Sequence, residues 1–211
     1  MEIIKENYDL LDLKGVDRKI QHLFSKVLQE DDLGRLYANY YDGQGAFVDR
    51  EVLSVARLKF SSGGIADFST VKPFFVRSLF ISDSFTNLMF FIKGYHNNFN
   101  LEYSAFMATG SRLDKGLFLE TVQKYPAVKK FYSIYGNSLL GKIKDCKVQH
   151  WIHGNDCLFR IDGDMVISFR DQEFKMPARK FTLRDHLRQL SVRQTLNTKK
   201  PKNKSVENFY P

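Results

Sequence analysis

Cys146, His150, His153 and Cys157 stand in a C-x3-H-x2-H-x3-C arrangement. Thiolate and imidazole are donors that zinc accepts. The spacing matches no standard finger, and buried thiols and imidazoles also serve as plain core residues, so no metal and no cofactor are expected. Trp151, next to His150, has a ring suited to stacking on a base or to packing in a core. Three short runs have a different chemistry: Ser82-Asp83-Ser84, Thr109-Gly110-Ser111 and Gly136-Asn137-Ser138. Small and hydroxylic residues let backbone approach a phosphate and present amides at helix N-termini. The same residues cap helices where no ligand exists.

Charge adds a third candidate. Residues 175–211 hold ten basic side chains and two acidic ones, which accounts for the whole formal charge of +8. A localised positive segment attracts polyanions at long range and by counterion release, so DNA is the expected partner. The residues expected to bind it are Arg179, Lys180, Arg184, Arg188, Arg193, Lys199, Lys200, Lys202 and Lys204. Anionic lipid and an acidic protein surface are the other partners such a segment suits. Nineteen Phe and ten Tyr could stack on single strands, but Phe80, Phe90, Phe91, Phe106 and Phe118 fall within expected strands or helices, where core packing claims them. Tyr40, Tyr41 and Tyr210 are candidate nucleophiles of the relaxase or recombinase kind, without the histidine cluster such chemistry uses. The longest uncharged stretch, residues 131–141, is too short to span a membrane. Glu2, Lys5 and Glu6 interrupt the N-terminus before an apolar leader could form, so a cytoplasmic protein without a membrane partner is expected.

Positioning these residues requires a scaffold, and apolar periodicity outlines one. A helix is expected over 16–28 and a strand over 52–60. Strands at 78–82, 103–109 and 130–135 alternate with helices at 85–94, 115–125 and 138–145, and a fourth strand is expected at 147–152. Such alternation implies an α/β fold, a parallel sheet flanked by helices. Asp162-Gly163-Asp164 supplies the turn of a hairpin between 157–161 and 165–170. A basic helix over 183–193 follows. The expected organisation is a helical and strand extension (1–72), an α/β core (73–154), a hairpin with the basic helix (155–196) and a flexible basic tail (197–211).

The runs ISDSFTNLMFF (81–91), MATGS (107–111) and YGNSLLGK (135–142) resemble the landmarks of the toprim fold, shared by primases, topoisomerases and related nucleases. In that family the first strand ends in Glu-Gly, the second in a Thr-Gly turn, and the third in Asp-x-Asp followed three residues later by Gly. Asp83 and Ser84 take the first pair of positions, Thr109 and Gly110 match the turn, Gly136 and Ser138 replace the two Asp, and Gly141 matches the last Gly. The resemblance implies a toprim-like α/β core and a setting in bacterial mobile elements. Toprim enzymes hold Mg²⁺ on the Glu and the Asp pair, so the replacements imply a vestigial site without catalysis. A non-catalytic DNA-binding or DNA-processing accessory protein is therefore expected, serving mobilisation or transposition. The alternatives are a weak Mg-dependent phosphotransfer enzyme using Asp83 and Asp114, and a module that docks on a protein partner.

Overall fold

Leu79 and Ile81 fall on one face of the strand at 78–82 and Phe80 on the other, and all three are fully buried. A strand buried on both faces must lie at the centre of a sheet covered by a layer on each side. The computed structural model describes residues 8–202 and 207–210. In chain order its elements are α1 (Asp9–Leu13), α2 (Arg18–Phe24), β1 (Gln29–Glu30), β2 (Leu36–Tyr41), β3 (Phe47–Leu53), β4 (Leu58–Lys59), β5 (Ala66–Ser69) and β6 (Ser78–Ser82). There follow α3 (Phe85–Tyr95), β7 (Ser104–Ala108), α4 (Lys115–Gln123), β8 (Lys130–Ser133) and α5 (Leu139–Ile152). The chain continues through β9 (Leu158–Asp162), β10 (Asp164–Phe169), β11 (Gln172–Met176), α6 (Leu183–Gln189) and β12 (Leu196–Thr198).

The central sheet has the order β12-β8-β6-β7-β5. Its first four strands are parallel and β5 runs antiparallel to β7, so the α/β fold is mixed rather than purely parallel. Strands β1 to β4 form a separate antiparallel sheet, and β9 to β11 a three-stranded meander. One core lies between the central sheet and α1, α2, α3 and β2; the other joins it to α4, α5, β10 and α6. Phe68, Phe106, Phe80 and Tyr132 stand in register across β5, β7, β6 and β8. Their rings stack in sequence at 5.0, 5.3 and 4.8 Å. Each buried aromatic contributes about 2–3 kcal/mol by burial alone, and this ladder holds the parallel strands in register. Phe90, Phe91 and Phe118 are buried as well, so core packing does claim the phenylalanines of the strand–helix region.

Several expectations need correction. No strand forms at 147–152: α5 continues through those residues, and the helix expected to end at 145 runs to Ile152. Leu139, Ile143, Cys146 and His150 keep a helical spacing, no Gly or Pro intervenes after Gly141, and Gly154 at φ +70° ends the helix. The parallel strand missing there comes instead from the basic end, where β12 pairs with β8. That end is thus not a free tail from 197 onward, because Leu196–Thr198 is sheet and Phe209 and Tyr210 pack against the first core. The strand expected at 52–60 is the end of one antiparallel strand, a turn and the start of the next. Helices α2 and α6 are also shorter than the spacing suggested, since Ser25 and Leu190 cap them.

Candidate functional site

Asp83 follows β6 at the carboxyl end of the parallel strands, the end where open α/β sheets bind ligands. Lys144, from α5, brings its Nζ to 3.7 Å from Asp83 Oδ2, and its side chain is only 5% exposed. The same ammonium donates to Gly110 O at 3.3 Å and lies over the Tyr135 ring. Burial pushes the Lys144 ammonium down and Asp83 opposes the change. Asp83 Oδ1 also accepts from Ser82 Oγ and Asn87 Nδ2, each at 3.2 Å. Thr109 Oγ1 donates to Ser82 O at 3.1 Å and contacts the buried Tyr135 hydroxyl at 3.2 Å. Gly110, at φ +65°, makes the turn that follows β7. Ser84 Oγ accepts from Asn87 N, Ser138 Oγ from Gly141 N and Asp114 Oδ1 from Leu117 N, so these three residues cap α3, α5 and α4.

The N-terminus of α3 already holds a carboxyl group. Glu51, on β3, accepts from Phe85 N and Thr86 N at 2.9 Å and from the Tyr40 hydroxyl at 2.7 Å. Burial pushes its carboxyl up, and those hydrogen bonds pull it back. A second acid, Asp145, is buried on α5 and meets Lys200 Nζ at 2.7 Å. Lys200 also donates to Tyr135 O and Gly136 O, both at 2.8 Å, so its three donors are satisfied within the protein. Ser133 Oγ donates to the other Asp145 oxygen. Burial pushes the Asp145 carboxyl up while Lys200 and Ser133 pull it down. Residues 207–210 close over this end: Asn137 N donates to Glu207 O, and Phe209 N donates to Asn87 Oδ1. A Cβ on Gly136 would stand 2.1 Å from Glu207 O.

A magnesium ion of the kind the resemblance implies does not fit these residues. Gly136 and Ser138 offer no carboxylate, Lys144 sets a positive charge against Asp83, and Glu207 covers the space beside Gly136. Lys144, Glu51, Asp145 and Lys200 were not legible as a group in the sequence, because they converge from β3, α5 and the C-terminal segment only in three dimensions.

The chain is similar to a phage primase fragment. That structure, the primase fragment of the bacteriophage T7 primase-helicase protein, matches at 12% identity with a TM-score of 0.45, over 69% of this chain and 60% of that one. The chain thus spans less than two thirds of the phage fragment's length. A chain of the bacteriophage T7 lagging-strand DNA polymerase assembly with primase domains matches at 11% identity and a TM-score of 0.37, over 65% of this chain and 70% of that one. No family model and no curated protein matches.

The basic residues divide into two groups. Arg179 and Lys180 lie in the turn before α6, Arg184 and Arg188 one helical turn apart on α6, and Arg193 just beyond it; all five are exposed. Leu183, His186 and Leu187 face inward and fix the orientation of that helix. None of the five side chains makes an ion pair among the described residues. By contrast, Lys200 is held by Asp145 and the backbone, and Lys199 and Lys202 lie over the rings of Phe99 and Tyr95. Lys204 lies outside the described residues. Beside the sheet's carboxyl end, Ser111, Arg112, Lys144, Lys147, Leu140 and Phe159 line a groove of about 460 Å³. A larger cleft of about 570 Å³ lies between the β2–β3 turn and α4, where Asp42, Asp67 and Glu120 mix with Lys26 and Lys124.

The four residues of the C-x3-H-x2-H-x3-C run do not come together. His150 and Cys157 converge instead with His186 of α6, while His153 contacts Thr195 on the surface. Trp151 is buried, donates to Asp156 Oδ1 at 2.8 Å and packs on Phe118. Tyr40 is consumed by Glu51, and Tyr210 packs on Phe90 and accepts from Lys14. Among the described residues no helix is long and apolar enough to cross a membrane.

Proposed function

We propose that the chain is a non-catalytic, toprim-like DNA-binding accessory protein. It engages the phosphate backbone through Arg179, Lys180, Arg184, Arg188 and Arg193, and it serves DNA processing of the mobilisation or transposition kind. One observation carries the reading: Asp83 and Asp145 are each met by a lysine of the same chain, yet these five cations stay exposed and unpaired among the described residues on one stretch of chain. Unpaired cations on a rigid helix release counterions from a polyanion without first breaking an internal ion pair. Arg112 and Lys147 add two further cations along the groove beside the sheet's carboxyl end.

Fluorescence anisotropy with single- and double-stranded DNA across a salt series tests the binding half of this reading. Tight binding that weakens steeply with salt supports it. Cleavage and primer-synthesis assays with Mg²⁺ and Mn²⁺ test the other half. Activity abolished by Asp83→Ala would replace the accessory role with an enzymatic one; an inactive protein that binds DNA supports the proposal. A protein that ignores DNA at moderate salt and binds a purified acidic partner would point to a docking module instead.

A further inference from the structure

The buried cluster on α6 has no part in the proposed DNA contact. His150 (1% exposed), Cys157 (2%) and His186 (0%) come from α5, from the residue before β9 and from α6. One ligand-type atom from each lies within 4.8 Å of the other two. His150 Nε2 and His186 Nε2 are 2.8 Å apart. Phe169 flanks His150, and Phe159 and Phe181 flank His186, so the cluster sits in an apolar shell. A hydrogen bond between the imidazoles satisfies one donor and one acceptor only. His186 Nδ1 is buried with no hydrogen-bond partner among the described residues. Polar groups are rarely gathered in an apolar core and left so incompletely paired.

We propose that His150, His186 and Cys157 form a structural site for a zinc-class divalent ion. Two imidazoles and a thiol are the donor set such an ion prefers, and one that magnesium and calcium avoid. In a tetrahedral zinc site two imidazole nitrogens stand about 3.3 Å apart, so the rings need separate by only about half an ångström from where they are. Burial pushes both imidazoles down to about 4, which keeps them neutral and ready to donate at neutral pH. The Cys157 thiol, pushed up to about 12 by burial, gives its proton to solvent when the ion binds. The ion would clamp α6 onto α5 and the meander. The proposal stands whether or not the basic face binds DNA.

The full chain, purified from zinc-supplemented cells, is expected to carry close to one zinc per molecule by elemental analysis. After the zinc is stripped with a chelator, a cobalt(II) titration is expected to develop the intense visible bands of tetrahedral cobalt and a thiolate charge-transfer band, saturating at one equivalent. Cys157→Ser should lose the charge-transfer band, and His186→Gln the tetrahedral intensity. If either variant fails to fold, the unmodified chain decides. No copurifying zinc together with the pale spectrum of aquated cobalt would overturn the site, as would a charge-transfer band undiminished in a folded Cys157→Ser protein.

Discussion

At the carboxyl end of the central sheet two lysines each meet an acid, the buried Lys144 with Asp83 and the half-buried Lys200 with Asp145. On α6 and its flanks Arg179, Lys180, Arg184, Arg188 and Arg193 are exposed and have none. The first region uses charge to hold its own chain together: Lys200 ties the C-terminal segment to α5 and the end of β8, and Glu207 and Phe209 continue that tie across the strand ends. The second region keeps its charge free of internal pairing. In the proposed reading a ligand meets the charged groups that the fold leaves without a partner, rather than the strand ends of the α/β sheet.

The two lysine pairs give the sharpest break in this comparison. Lys200→Met strands the buried Asp145 carboxylate and should cost about 3–5 kcal/mol in urea unfolding. Lys144→Met leaves Asp83 partly in water and should cost no more than about 1 kcal/mol. Equal losses would mean that the two pairs hold the end of the sheet alike. A pH series on the metal-free chain comes next. The ordinary pKa of 6.5 falls to about 4 for both His150 and His186 in the folded state, so the unfolded chain takes up protons first as pH drops. Stability is full above about pH 6.5 and declines toward pH 4, by up to about 1.4 kcal/mol per pH unit for each imidazole. His186→Phe should flatten that decline. Gly136→Ala, whose Cβ would collide with Glu207 O, should lower stability by about 1–3 kcal/mol by displacing the C-terminal segment. An unchanged denaturation midpoint would show that this segment contributes little.

The strand–helix units from β6 to α4 were readable in the sequence because each switch of period is marked by a capping residue, Ser84 before α3 and Asp114 before α4. Beyond Asp145 the reading failed for a physical reason: Val148, Trp151 and Ile152 have strand-forming side chains, and the helical spacing of Leu139, Ile143, Cys146 and His150 was the stronger signal. The β2–β3 hairpin also went unread, although Asp42-Gly43-Gln44-Gly45 marks its turn. Strand β12 has three residues set among polar ones, too short for any period to show. In the candidate site, Asp83, Thr109 and Gly110 were legible from local motifs. Glu51, Lys144 and His186 were not, since each acquires its role from a partner at least 30 residues away.

The smallest expected effect on folding accompanies the most informative one on binding. Arg184→Gln and Arg188→Gln remove two exposed cations from the surface of α6, and stability should stay within about 0.5 kcal/mol of the original. The decisive measurement is DNA affinity against salt concentration for the full chain and for this double variant. The account predicts weaker binding to every sequence and a log–log salt slope shallower by about two, one for each phosphate that the variant no longer neutralises. An unchanged slope and affinity would place the DNA-binding surface elsewhere and contradict the assignment of the basic face.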